Sequence, residues 1–161
     1  MVQVTLCEDR DSIFITTFVG GGGNAGVITV GVPALQASIG TPTCIVQSKN
    51  GDLYFTSGNY HAVLKVEFNK KEGTSKVTIV AGTGSLGVGA DNILGTLSDL
   101  KLPSALSLIE DDETDEVTAI LIADTSNHRI RKLNMTTQLI HTIAGTGEEG
   151  SSGDGALAVN A

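Results

Sequence analysis

Residues 120–133 read ILIADTSNHRIRKL, and a weaker copy of the same pattern, YFTSGNYHAVLKV, occupies residues 54–66. At an offset of about 67 residues, and without gaps, Ile122 falls on Phe55, His128 on His61, Ile130 on Val63, Lys132 on Lys65 and Leu133 on Val66. Each copy is an apolar run, a short polar connection and a second alternating run, the sequence form of a β-hairpin. The chain is therefore internally repetitive, and a repeat of this length implies a supersecondary unit used more than once.

The surrounding composition agrees. Twenty glycines with three prolines and no tryptophan, set among runs of Val, Ile, Leu and Thr, describe many short strands joined by glycine turns. At 161 residues and 40% hydrophobic content the chain has the material for one domain with a core, and disorder is disfavoured. The formal charge of −8, from 18 acidic and 10 basic side chains, opposes binding to a phosphate backbone, so nucleic acid is not expected as a partner.

Cys7 and Cys44 have no CxxC spacing and no Cys/His neighbours, so zinc and dithiol chemistry lack support and both are expected to be small buried hydrophobes. The N-terminus turns acidic at Glu8 before an apolar signal segment develops, and no apolar run nears the roughly 18 residues that span a bilayer. No signal peptide or membrane segment is expected, and the sequence indicates no compartment.

Taken in order, residues 2–6 and 13–19 form a hairpin around Glu8, Asp9, Arg10 and Asp11, followed by the run Gly20-Gly21-Gly22-Gly23-Asn24. Residues 43–47 and 53–56 pair across Asn50-Gly51, a dipeptide suited to a two-residue hairpin because both positions tolerate positive φ. Strands at 62–68 and 76–81 complete four, closed by Gly82-Thr83-Gly84. The cycle repeats with strands at 104–109, 118–123, 129–134 and 139–144, closed by Gly145-Thr146-Gly147. Leu102-Pro103 matches Thr41-Pro42, and the swollen loop EDDETDE at 110–116 falls between strands, where a structural repeat tolerates insertion.

The second copy, IADTSNHRIRKL followed by LIHTIAGTGEEGSSGDGALA, resembles NHL-repeat sequence. Asp124, Asn127, His128, Arg129, Ile130, Gly145, Gly147, Gly153, Asp154 and Gly155 stand at the family's motif positions, and Gly82 and Gly84 repeat the glycine pair in the earlier copy. The resemblance is strong in the last copy and degenerate in the first. It implies an all-β β-propeller of antiparallel four-stranded blades around a channel. The chain would supply a half blade at 1–19, blades at 42–82 and 103–145, and the start of the next connection at 146–161.

Members of that family usually close with about six blades. About two and a half cannot close a ring, so the reading is an open propeller, continued by further chain or by copies associating through open blade edges. The family's usual role implies a non-catalytic module that contacts a protein or another ligand through blade faces and loops. The alternative is a piece of a propeller enzyme of lactonase, hydrolase or lyase type whose site needs blades not contained here.

No catalytic, cofactor or metal residue is assigned from the sequence. Three GxGxxG stretches, at 21–26, 82–87 and 145–150, follow strands, but the dinucleotide fingerprint needs a helix to open at its end and no helical periodicity follows. They fit turns between sheets. The acidic loop at 110–116 lacks the order of a calcium loop and fits a solvated hairpin tip, while Ser151-Ser152-Gly153-Asp154-Gly155 fits an ordinary Asp-Gly turn. His61 and His128 recur at one hairpin position, which favours a turn role over metal or acid–base chemistry, and His141 faces Ile79 in the alignment. Asp124 and Arg129 flank one turn and are replaced together by Ser57 and Ala62 in the earlier copy, the pattern of an ion pair joining two strands.

Overall fold

The computed structural model describes residues 2–9, 12–21, 31–69 and 71–161, with backbone alone up to residue 18. The chain is all-β. A hairpin pairs β1 (Val2–Asp9) with β2 (Ser12–Val19). An antiparallel sheet follows, in order β3 (Pro42–Gln47), β4 (Leu53–Ser57), β5 (Ala62–Asn69) and β6 (Thr74–Ala81). A second antiparallel sheet has five strands: β7 (Ile93–Leu94), β8 (Ala105–Glu110), β9 (Val117–Asp124), β10 (Arg129–Asn134) and β11 (Leu139–Ala144), in spatial order β7-β11-β10-β9-β8. Among the described residues the only helical pieces are single 3-10 turns, including Ala34–Gln36, Gly95–Leu97 and Ala158–Asn160.

The repeat visible in sequence reappears in register. Leu53 pairs with Val66 and Ser57 with Ala62 in the first sheet, as Ile120 pairs with Leu133 and Asp124 with Arg129 in the second. The outer strands share an irregularity as well: the ladder skips Phe18, Val80 and Ile143 at matching places on β2, β6 and β11. An extra residue on one strand bends and twists it locally, and its recurrence marks it as part of the unit.

Each outer strand ends in a glycine whose amide donates to the first residue of a 3-10 turn. The bonds are Gly20 N to Ala34 O at 3.0 Å, Gly82 N to Gly95 O at 2.9 Å and Gly145 N to Ala158 O at 2.9 Å. Gly82 and Gly145 both have φ of +90°, and a Cβ there would fall on the carbonyl of His61 or His128. Only glycine satisfies both demands.

Alternation along the strands divides the core in two. One face of the first sheet, with Leu53, Phe55, Leu64, Val66 and Val77, is covered by Val19, Ala34, Ala37 and Ile39. The other face, with Tyr54, Val63 and Ala81, packs with Leu100 against Ile120, Ile122, Leu133 and Ile140 of the second sheet. Those eight residues are at most 2% exposed, so the two sheets bury apolar faces against each other.

Three local expectations change. The hairpin at Asn50-Gly51 is not a two-residue turn: Gly51 alone is left-handed (φ +99°), its amide donates to Ser48 O, and the loop spans residues 48–52. The side chain of Asn50 explains this, because its Oδ1 accepts from Ser48 Oγ at 2.6 Å and from Asp52 N at 3.0 Å. Cys44 is a free thiol that is half-buried rather than core, since β3 is an edge strand whose residues alternate between exposed and partly covered. The short strand β7 was missed, two residues being too few for periodicity to register. Arg10, Asp11, the glycine run beyond Gly21, most of the first GxGxxG stretch and the Cys7 side chain lie outside the described residues.

Gly145→Ala is expected to lower unfolding stability by roughly 2 kcal/mol or more, about 1–2 of it from the left-handed backbone. Gly150→Ala, where an added Cβ meets nothing within 4 Å, is the control and should change the denaturation midpoint little.

Candidate functional site

Among the described residues, the largest concentration of buried polar groups lies where the β9–β10 turn meets the connection 82–104. Asp124, at the end of β9, is fully buried, and its Oδ1 accepts from Lys101 N at 2.7 Å while Oδ2 accepts from Asn127 Nδ2 at 2.8 Å. Asn127 sits in the 3-10 turn Thr125–Asn127, and its Nδ2 also donates to Gly87 O at 2.9 Å. Arg131, two residues into β10, is fully buried; its Nη2 donates to Ala90 O at 3.0 Å and to Asp91 Oδ1 at 2.9 Å. Asp91 Oδ1 also accepts from Thr142 N at 2.9 Å and from Thr142 Oγ1 at 3.1 Å.

The expected pairing of Asp124 with Arg129 does not form. The two residues are ladder partners, but the charge that neutralises Asp124 comes from Arg131, whose Nη1 lies 3.6 Å from Asp124 Oδ2. Arg129 instead stays at the rim and donates from Nη2 to Thr146 O at 3.2 Å. A carboxylate with no exposure needs a countercharge that shares its burial, and Arg131 supplies one. Sequence comparison hid this because Arg131 aligns with Leu64, so it read as a strand residue. The joint loss of two charges in the earlier copy pointed to the wrong partner.

The earlier unit meets the same need with neutral groups. Ser57 Oγ donates to Ile39 O at 2.7 Å, and Ser38 Oγ and Tyr60 OH lie 3.0 Å apart. In both units these polar groups fasten the connection to the hairpin turn, and of the Arg131 nitrogens Nη2 makes the hydrogen bonds while Nε and Nη1 are buried without one.

His61 and His128 occupy matching left-handed positions, with φ of +48° and +49°, and the amide of each donates back to the start of its turn, to Gly58 O and Thr125 O. His61 does more: its Nδ1 accepts from Leu102 N at 3.2 Å, tying the first sheet's turn to the entrance of the second sheet. Thr43 Oγ1 adds a second tie to Pro103 O at 3.3 Å. His141 matches Thr78 rather than Ile79: Thr142 faces Arg131 in the ladder as Ile79 faces Leu64.

Gly84 and Gly147 are left-handed (φ +88° and +98°), and no α-helix follows either remaining GxGxxG stretch. Ile130 is the second residue of β10 and is 37% exposed, while Asp154 is exposed in a turn closed by Ala156 N donating to Gly153 O. The acidic loop folds onto itself and onto Lys49. Asp111 Oδ1 accepts from Glu113 N and Thr114 N, and Lys49 Nζ lies 3.3 Å from both Asp112 and Asp115. Those contacts hold the Asp111 carboxyl below its usual range, through the Thr114 bonds first, and raise the Lys49 ammonium. Among the described residues no three His, Cys, Asp or Glu side chains are grouped to hold a metal, and no helix is long and apolar enough to cross a membrane.

A second charged cluster crosses the first sheet: Lys65 Nζ lies 2.9 Å from Asp52 Oδ2 and 3.2 Å from Glu67 Oε1, and Lys76 Nζ lies 2.9 Å from Glu67 Oε2. The Lys76 contact, then that of Lys65, holds the Glu67 carboxyl below its usual value. Lys65 also stands 5.6 Å above the Tyr54 ring.

No family model matches the sequence, and no curated protein matches it. Solved structures do share the fold. An auxiliary nutrient binding protein from Bacteroides ovatus ATCC 8483 superposes with a TM-score of 0.58 at 23% identity, over 70% of this chain and 27% of that one. A second auxiliary nutrient binding protein, from Bacteroides thetaiotaomicron VPI-5482, superposes with a TM-score of 0.54 at 25% identity, over 68% of this chain and 26% of that one. The chain therefore spans about a quarter of the length of the solved structures it matches.

Two outcomes follow from the charges. Arg131→Ala should destabilise the fold by about 3–5 kcal/mol, the range for removing one partner of a buried pair, whereas Arg129→Ala should cost less than about 0.5 kcal/mol. Chemical denaturation distinguishes them. Because the Glu67 pKa is depressed, its contribution is present above the unfolded value of about 4.3 and is lost as pH falls through the folded value. Glu67→Gln should accordingly flatten the acid limb of the stability–pH curve, with little change in its alkaline part.

Proposed function

We propose that the chain is part of an NHL-type β-propeller, its two sheets being consecutive blades, and that it works as a non-catalytic binding module for a protein or another ligand. The observation that carries this reading is the use of the polar groups. Asp124, Asn127, Arg131, Asp91 and His61 are each engaged in fastening a connection to a sheet, while Leu94, Ile109, Ile130 and Leu139 of the second sheet stay exposed. Surfaces of that kind recognise partners by shape and burial.

The motif residues quoted above support the family, and the recurrence of strand order, bulge and glycine bond in successive units supports the blade reading. Two solved structures with this fold are named as auxiliary nutrient binding proteins, which fits a binding role and makes small nutrient molecules a reasonable ligand class to try.

The test is a thermal-shift titration of the 161-residue chain against saccharides, amino acids and short peptides, run beside turnover assays on lactones and esters. The reading predicts a saturable rise in midpoint for some of these, equivalent to roughly 2.7 kcal/mol at a hundredfold excess over Kd, with lactones and esters recovered unchanged. Turnover that purifies with the chain and disappears on substituting its own residues would contradict the reading.

A further inference from the structure

We propose that Asn50 is a self-modification site, converted to aspartate and isoaspartate by attack of the Gly51 nitrogen on its carboxamide. The turn at 48–52 holds that reaction shut, and the isoaspartate product frees Lys49 from the second sheet. The proposal goes beyond the binding reading and does not depend on it. Closure of a ring between an asparagine side chain and the next backbone nitrogen is hindered by a side chain on the following residue. Asn50 precedes Gly51, and no other asparagine of the chain is followed by glycine. Asn50 is also exposed, so water reaches its carboxamide.

The chemistry needs only water. The Gly51 nitrogen, having given its proton to solvent, bonds to Asn50 Cγ and pushes the carbonyl electron pair onto Oδ1. That pair returns and expels the side-chain nitrogen, which takes up a proton and leaves as ammonia. Water then opens the succinimide at either carbonyl, giving aspartate or isoaspartate. Overall a water is consumed and an ammonia released, with no change of oxidation state.

Both reacting groups are held in the folded turn. The Gly51 amide donates to Ser48 O at 2.9 Å, so the proton that must leave is engaged. Asn50 Oδ1 accepts from Ser48 Oγ at 2.6 Å and from Asp52 N at 3.0 Å, which fixes the side chain. Ser48 is buried, and its amide and hydroxyl both donate to Asp52 O, at 2.9 and 3.0 Å. Reaction therefore waits on local opening, and its rate follows the fraction of chains in which the turn is open.

The products differ in what they do to the neighbouring joint. Aspartate keeps an oxygen where both donors point. Isoaspartate carries the main chain through Cγ and so adds a methylene to a turn closed by the pairing of Gln47 with Leu53. Lys49, one residue earlier, is what ties this turn to the acidic loop of the second sheet. Its amide donates to Glu110 Oε1 at 2.7 Å and its Nζ lies 3.3 Å from both Asp112 and Asp115. Among the described residues no other basic side chain pairs with that loop.

The test ages the 161-residue chain at neutral pH, folded and in denaturing urea, and follows the amide-to-acid mass gain by peptide mapping. Asn50 should convert to both products in urea, and at least about tenfold more slowly in the folded chain. Ser48→Ala should speed the folded reaction by about threefold or more, the worth of a hydrogen bond, and leave the urea rate unchanged. Should that variant fail to fold, the wild-type rate is followed through sub-denaturing urea, where it should rise. In the second arm the isoaspartyl chain is separated by chromatography and compared with Asn50→Asp; its Lys49 should be the more readily acetylated. The proposal is overturned by an unreactive Asn50 in urea, by equal folded and denatured rates, or by a Ser48→Ala reaction that is unchanged or slower. A wild-type rate that stays flat through sub-denaturing urea, or equal acetylation of Lys49 in the two acidic forms, overturns it as well.

Discussion

The structure depends on a single backbone hydrogen bond made at the end of each outer strand. A glycine amide donates to the opening carbonyl of a 3-10 turn, at Gly20, Gly82 and Gly145 in succession. That bond redirects the chain from the rim of one sheet to the edge of the next. At Gly82 and Gly145 it is made from a left-handed backbone with a histidine carbonyl where a Cβ would stand. The glycine fixes the spacing between sheets, and the spacing lets Tyr54, Val63 and Ala81 meet Ile120, Ile122, Leu133 and Ile140. Hydrophobic burial then stabilises the arrangement, but it acts on a geometry the connections have set.

The two units show different solutions to one problem. A hairpin turn must be fastened to a connection at a place closed to water, and every polar group used there needs a partner. The second unit uses Asp124, Asn127 and Arg131, a charged set with much to lose if one member is removed. The first uses Ser57, Ser38 and Tyr60, with Leu64 standing where Arg131 stands later. Asp124, Asn127 and Arg131 are therefore one way of building the joint, and the earlier copy reaches the same backbone without them.

Strand positions were largely legible because alternation survives in both units, and the gap-free match of 54–66 to 120–133 carries directly into the ladder registers. The alignment of His61 with His128 at one hairpin position carries into the backbone, where both residues are left-handed. Arg131 was not, because a buried arginine on a strand looks the same in sequence as an exposed one, and burial is decided by the neighbouring sheet. The Asn50 turn was misread because its side chain bonds locally to Ser48 and Asp52, a competition that dipeptide rules ignore. β7 escaped notice because its pairing is purely long-range.

The central claim is that the two sheets are stacked face to face, and methyl-resolved NOE spectroscopy of the isolated chain tests it most directly. Stacking predicts cross-peaks joining the methyls of Val63 and Ala81 to those of Ile120, Ile122, Leu133 and Ile140, together with Tyr54 ring contacts to the same group. A spectrum in which every methyl contact of β3–β6 stays within that sheet or reaches only residues 19–39 would contradict the account.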